Sequence, residues 1–492
     1  MKLGQCKNAI DSFKEAEKVT VVRLGTKDHA IVMNILFNMG QAYSSIALFS
    51  FSRESTAAKN KAILCYSESK QISQACFGKQ HTSSAEVLGS LGALYAKSGN
   101  AWLEILNEEK SDDENDDELA YKSFKQSLSI RKREKGSSNE LEIASILQHL
   151  GGLCLRRIGY YYRCDDTEAL KFANDAMKFL SESLKIQKIL LGPDTINTAD
   201  THYMIGRAHL NRALALKDNA NKVEYEITKA HSSLSTSLNQ LLSSQAIKSV
   251  GPRLSGELKD SILMKALCHF YLGRVEQTKS EMGIFECSDY DRAKSHYIDA
   301  LRLFQAEGKH RLSRIEDDVV DLEGKLVIEL EAINLWAARA LYQIASVHQV
   351  TSCLGDAINC FDEALRIRAQ CKRVKKNGLN QARIHFHFAK VLHDNQHFDK
   401  AIESYACSLR TYLAYFGRDS IDVADTLTDM GKSFAMKSAF EKTMQCYDKA
   451  MRIYEYQEGL VLQEKKGALH RQIADTLQCL NGDIFEVLEH YR

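Results

Sequence analysis

Proline is almost absent from this chain, with two in 492 residues. Proline interrupts helices and marks turns, so its scarcity excludes a loop-rich fold and predicts helix following helix through short connections. Charge of one sign is missing too. Sixty-five Lys and Arg against 64 Asp and Glu leave a formal net charge of +1, so no global field draws nucleic acid or an acidic membrane surface. No stretch approaches the roughly 20 apolar residues of a membrane span, and MKLGQCKNAIDSFKEAEKV at the start has no apolar core of the signal-peptide kind. Neither a nucleic-acid partner nor membrane insertion is expected. Cysteine is present but unpaired in spacing: thirteen residues, an odd number, with no CxxC. That excludes a disulfide framework or zinc ribbon and predicts reduced, mostly buried thiols in a reducing, cytoplasmic setting.

Signatures of chemistry are lacking as well. The sequence has no Gly-rich phosphate loop, no HExxH and no GxSxG, so neither an enzyme nor a cofactor or metal is expected. The densest group of candidate ligands, His385, His387, His393 and His397 in RIHFHFAKVLHDNQH, does not share one helix face, because residues two apart point away from each other.

What the sequence does hold is a repeat. DVADTLTDMGKSFAMKSAFEKTMQCYDKAMRIY (422–454) reads as two amphipathic helices with Gly431 inside the first, a placement that costs about 1 kcal/mol relative to alanine. Upstream, Ala389 and Ala345 occupy the equivalent place, 42 and 44 residues earlier, and each precedes the first small residue of the next helix (Ala401, Ala357) by twelve. More distant copies place Gly40, Gly92, Gly151, Gly206 and Cys268 in first helices, and Tyr66, Phe124 and Tyr297 in second helices. A fixed period of this kind marks a repeat array. It also explains the glycine: a small residue on the first helix, A, lets the aromatic of the second, B, approach closely enough for dispersion to offset the helical cost.

The small residue with an aromatic three later, followed by Ala-x3-aromatic, resembles the tetratricopeptide repeat. The period near 42 and the linkers FGKQH (77–81), LGPDT (191–195), FGRDS (416–420) and LGTKDH (24–29) narrow this to a resemblance to the kinesin light chain type of array. The resemblance implies an all-α, right-handed superhelical solenoid of antiparallel helix pairs. It also implies a non-enzymatic scaffold or adaptor that receives peptide segments of other proteins in a concave groove.

The expected organisation is an N-terminal subarray over 1–240, a loop or hinge over 241–260, and a C-terminal subarray over 261–492. An acidic insertion at 106–118 interrupts the first subarray and reads as a solvated loop or as a lure for a basic partner. Leu312, Ile315, Val319, Leu322, Leu326 and Ile333 have spacing compatible with a short coiled coil or a folded-back helix. Neither end carries a polar capping helix. The ends are therefore expected to continue in a longer product or to pair, including with another copy, and a structural subunit of a larger assembly is the alternative function.

Groove-facing positions should lie one after, three before and six before the small residue of each A helix. In the C-terminal repeats these include Arg339, Tyr342, Arg383, Phe386, Lys390 and Lys432; further back they include Asn34, Gln41, Tyr203 and Arg207. Cations interleaved with aromatics suit an extended segment with carboxylates and an apolar anchor. The asparagine that some tetratricopeptide co-chaperones use against a C-terminal carboxylate is missing from the corresponding places, so that role is not expected.

Overall fold

In a computed structural model, the described residues are 3–49, 52–96, 114–133, 137–160, 166–216, 219–243, 254–283, 290–317, 323–371, 378–456 and 460–479. All regular structure among them is α-helical. The fold is a tetratricopeptide-like solenoid of repeated helix pairs. No helix of the described residues is long and apolar enough to cross a membrane.

The chain divides into two compact units, Met1–Trp336 and Ala337–Arg492. The first holds α1 (Leu3–Leu24), α2 (Ala30–Phe49), α3 (Ser52–Phe77), α4 (Thr82–Tyr95), α5 (Glu114–Arg131), α6 (Ser137–Tyr160), α7 (Asp166–Leu190), α8 (Ile196–Ala215), α9 (Ala220–Leu242), α10 (Leu254–Met282) and α11 (Tyr290–Asp317). It also holds the first part of α12 (Glu323–Val350). The rest of α12 belongs to the second unit, with α13 (Leu354–Gln370), α14 (Leu379–Asp394), α15 (Phe398–Phe416), α16 (Ile421–Met436), α17 (Phe440–Glu455) and α18 (Leu460–Cys479). Residues 244–253, within the expected hinge, lie outside the described residues. The helices that flank them pack on each other: Ser237 Oγ of α9 lies 3.3 Å from Cys268 Sγ of α10.

Several pairs close on the small residue named from the sequence, whereas in α10 the residue facing the Tyr297 ring is Gly273 and not Cys268. A Cβ added to Gly40 would meet the Tyr66 ring at 2.8 Å, one on Gly92 the Phe124 ring at 3.0 Å, and one on Gly431 the Tyr447 ring at 2.4 Å. Leu180 and Leu234 play the ring's part against Gly151 and Gly206, each at 2.6 Å. A second device recurs in the first unit. Three residues beyond the side chain that covers the glycine, a buried serine of helix B donates to a helix A carbonyl: Ser69 to Met33 O (3.0 Å), Ser127 to Ala85 O (2.6 Å), Ser183 to Ala144 O (2.7 Å) and Ser237 to Ala199 O (2.7 Å). Burying the hydroxyl costs little because its bond is made.

Some connections recur too. At three junctions between repeats, a glycine at positive φ (Gly78, Gly192 and Gly417) ends helix B and a polar residue three later opens helix A. Gly78 (φ 89°) precedes His81, whose Nδ1 accepts from Ser83 N at 3.2 Å, and Gly417 (φ 79°) precedes Ser420, whose Oγ accepts from Asp422 N at 3.2 Å. Left-handed backbone favours glycine, and the capping side chain satisfies an orphan amide. Within repeats of the second unit, the A-to-B turn is a Schellman motif with a non-glycine residue in the left-handed region: Ser352, Gln396 and Ser438. The closing bonds run from Cys353 N to His348 O (2.8 Å), His397 N to Leu392 O (2.7 Å) and Ala439 N to Phe434 O (3.0 Å).

Three sequence expectations are corrected. The stretch 312–333 is not one continuous seam among the described residues. It is shared between α11 and α12, Leu312 is 46% exposed, and Ile333 is buried beside Gly308. The heptad-like spacing arose because the second helix of one repeat is followed in sequence by the first helix of the next. Beside such apolar contacts, an ion pair joins the two helices: Arg311, buried, donates from Nε to Glu307 Oε1 at 2.8 Å and from Nη1 to Glu329.

The acidic insertion is likewise not all loop. Its first part lies outside the described residues, but Asp116 and Asp117 sit in the first turn of α5 and Glu118 just after it, near the helix end where negative charge complements the dipole, and they bind Lys59, Arg156 and Arg157. These acids are therefore engaged within the fold. Arg156 of α6 reaches both Asp117 (3.1 Å) and the carbonyl of Ala96 at the end of α4 (2.6 Å), bracketing the insertion. Arg156→Ala is expected to destabilise the first unit by about 1.5 kcal/mol, read by denaturant titration.

The third correction concerns Tyr203 and Arg207, expected to face a groove. Tyr203 is fully buried and Arg207 nearly so. Helix α8 is covered by α6 and α10 as well as by its partner α9. Arg207 lies over the Tyr203 and Tyr271 rings, at 5.5 and 5.1 Å, and ties α8 to α10. Neighbouring A helices approach so closely here that the expected groove face is their mutual interface.

Candidate functional site

The second unit holds a cavity of about 210 Å³ lined by Tyr342 of α12, Arg383, Phe386 and His387 of α14, and Tyr412 of α15, with Asp422 and Asp425 of α16. Three successive A helices therefore meet at one place. Tyr342, Arg383, Phe386 and Asp425 stand at positions three or six before Ala345, Ala389 and Gly431, as the groove rule requires.

The aromatic wall is internally braced. Tyr342 makes edge contacts with Phe361 (5.9 Å between centroids) and His387 (5.6 Å), and Phe386 with Tyr405 (5.9 Å). His387 is held neutral. Burial first, then the cations Lys390 and Arg383, push its pKa down to about 4. Tyr412 is pushed up to about 12, chiefly by burial, and so presents a neutral hydroxyl. On the opposite wall Asp425 is fixed from outside: Tyr454 donates to Oδ1 at 2.5 Å, and Lys465 Nζ lies 2.8 and 2.7 Å from the two carboxylate oxygens. Asp422 belongs to the first turn of α16, beside the Ser420 cap. The cavity thus offers two aromatic faces, one guanidinium and two carboxylates.

Of the groove residues named from the sequence, the structure brings Tyr342, Arg383 and Phe386 together. Lys390 and Lys432 stand outside the lining, and Asp429 lies between them at 4.0 and 2.7 Å; Lys390 also lies 5.7 Å over the Phe386 ring. The local positive charge expected there is therefore partly neutralised within the chain. Arg339 is half-buried on α12, and Asn34 and Gln41 are exposed on α2 in the first unit.

Sequence reasoning missed Tyr412, Asp422 and Asp429, and named His387 only among candidate metal ligands. Tyr412 is on a B helix, where a rule built on A-helix positions does not look. Asp429 carried a signal, three residues before Lys432 on the same helix face. The histidines of α14 stay apart in role: His393 pairs with Ser433 Oγ at 2.9 Å, while His387 meets Tyr342 edge-on in the cavity wall.

No family model matches the sequence, and no curated protein matches it. Among solved structures, the chain is similar to BtubC (BKLC) from P. vanneervenii at 14% identity and a TM-score of 0.38, over 54% of this chain and 87% of that one. It is similar to a Rap protein complexed with competence and sporulation factor at 11% identity and a TM-score of 0.40, over 94% and 99% of the two chains. Aspartyl phosphate phosphatase F from Bacillus subtilis gives 12% identity and 0.40, over 94% and 93%. Likeness at this level says nothing of what this chain binds.

Proposed function

We propose that the protein is a non-enzymatic interaction scaffold of the kinesin light chain kind, and that its second unit receives an extended segment of a partner protein in the cavity on α12, α14 and α16. The observation that carries this is the convergence of Tyr342, Arg383, Phe386 and Asp425, from three successive repeats, on one concave site. An apolar or aromatic side chain fills the space between Tyr342 and Phe386, and a neighbouring carboxylate pairs with Arg383. Asp422 and Asp425 add acceptors for backbone amides or a basic residue, so the partner segment is mixed in charge with at least one acid rather than uniformly acidic. The cysteines among the described residues are free, which suits the cytoplasm.

The test is a random peptide library panned against the intact chain. Enriched peptides are expected to share an apolar anchor next to Asp or Glu, and to lose at least about tenfold in affinity, or 1.4 kcal/mol, on Arg383→Glu. Equal affinity for the variant moves binding away from this cavity. Failure to enrich any peptide favours the structural-subunit reading, for which the exposed Val19, Val22, Leu24 and Ile31 of α1 and α2 are the supporting observation.

A further inference from the structure

The turn between α12 and α13 departs from its own repeats. Superposed by the Schellman closing bonds, His348 stands where Leu392 and Phe434 stand in the next two copies. Cys353 takes the place of His397 and Ala439, and Asp356 that of Lys400 and Lys442. Leu392 shows what the first position does elsewhere: it is an apolar core residue, 1% exposed. In this copy an imidazole is buried there instead, 6% exposed, and the two residues facing it across the turn are a thiol and a carboxylate.

One potential ligand atom from each of His348, Cys353 and Asp356 lies within 4.8 Å of the others, and His348 Nδ1 is 4.0 Å from Asp356 Oδ2. The backbone sets this proximity. The bond from Cys353 N to His348 O, with Ser352 at φ 60°, folds the chain back on the end of α12, and Asp356 follows in the first turn of α13.

We propose that His348, Cys353 and Asp356 form a three-ligand site for a borderline-soft divalent cation of the zinc type. Nitrogen, thiolate and carboxylate together are a donor set that suits zinc, with bonds of about 2.0–2.3 Å. Tetrahedral bonds of that length place ligand atoms roughly 3.5 Å apart, so the cluster must contract by about 1 Å. Cys353 and Asp356 are exposed and supply that freedom, while the buried imidazole stays fixed. On binding, the Cys353 thiol gives its proton to solvent and the histidine coordinates through a neutral ring nitrogen. The fourth position is left to water or to a side chain of a partner. The bound ion would clip α12 to α13 at one end of the helix that carries Tyr342.

Cobalt(II) is the probe, because thiolate ligation gives it a near-ultraviolet charge-transfer absorption. Titrated into the intact, reduced chain, it is expected to produce that absorption at one equivalent, to be displaced by zinc, and to lose the band in Cys353→Ala. His348→Leu and Asp356→Lys install residues that the neighbouring copies already carry at these positions, so the fold is kept. Each is expected to weaken zinc binding at least about tenfold. A cobalt band that survives Cys353→Ala, zinc affinities unchanged in all three variants, or no binding to the parent chain would each overturn the proposal.

Discussion

Replacing Arg311 by alanine is expected to cost the first unit about 3–5 kcal/mol. The guanidinium is 4% exposed and Glu307 also 4%, with Glu329 bonded to Nη1. The substitution leaves two carboxylates in an interior that charges avoid. They must then take up protons or pull α11 and α12 apart to reach water. Neither consequence requires contact with a partner, so the readout is stability alone: a denaturant titration followed by the fluorescence of Trp336, which stacks on Phe304 of α11 at 6.0 Å. The reverse arm separates an orphaned-charge penalty from a packing defect. Changing all three, Glu307→Leu, Arg311→Met and Glu329→Leu, should recover most of the loss, since an apolar trio of similar volume removes the buried charge altogether. A triple variant as unstable as Arg311→Ala would show that shape, not charge, dominates this pair.

Gly431→Ala is expected to destabilise the second unit by about 2–3 kcal/mol, against a helix propensity that favours alanine by about 1 kcal/mol. The new methyl would sit 2.4 Å from Tyr447 Cε1 and 2.8 Å from Cδ1. Tyr447 is 2% exposed and packs with Tyr454 and Met451, so its ring cannot swing away without disturbing the core. Two comparisons isolate the cause. Gly467, in α18, has nothing within 4 Å of an added Cβ and ordinary helical backbone, so Gly467→Ala should gain roughly 1 kcal/mol. Gly431→Ala combined with Tyr447→Leu should stay destabilised, because the leucines that cover Gly151 and Gly206 would themselves stand 2.6 Å from an added Cβ, so the close approach belongs to the helices and not to the ring alone. Equal gains at positions 431 and 467 in thermal and chemical unfolding would remove the close-packing account of the repeat.

The same residue shows how much of the fold was legible. A glycine inside a helical pattern is informative because it violates local preference, and the violation recurred at fixed spacing. Aromatics in the second helices and Gly-x-x-cap linkers followed the same register, so the pairing of helices could be read without coordinates. The serines could have been read but were not: Ser69, Ser127, Ser183 and Ser237 look like ordinary polar-face residues until the partner carbonyl is seen.

The candidate site was legible where it depended on helix phase and illegible where it depended on distance between helices. Tyr342, Arg383 and Phe386 follow from phase, and they meet. Tyr203 and Arg207 have the same phase, yet α6 and α10 close over them. How near successive A helices stand is set by side-chain volumes summed over several repeats, which no single position reveals. Charge was misread for a related reason. Lys390 and Lys432 were counted as cations of a groove, whereas Asp429 accepts from Lys432 and lies 4.0 Å from Lys390.

The grip of Arg156 on Ala96 and Asp117 has a consequence for how this chain can change over generations. The guanidinium meets one partner through a backbone carbonyl and the other through a side chain, so the two contacts are not equally open to substitution. Any residue at position 96 still offers its carbonyl, whereas only an acid at 117 can pair with the arginine. As far as this contact is concerned, position 96 can drift singly, while positions 117 and 156 are expected to change together.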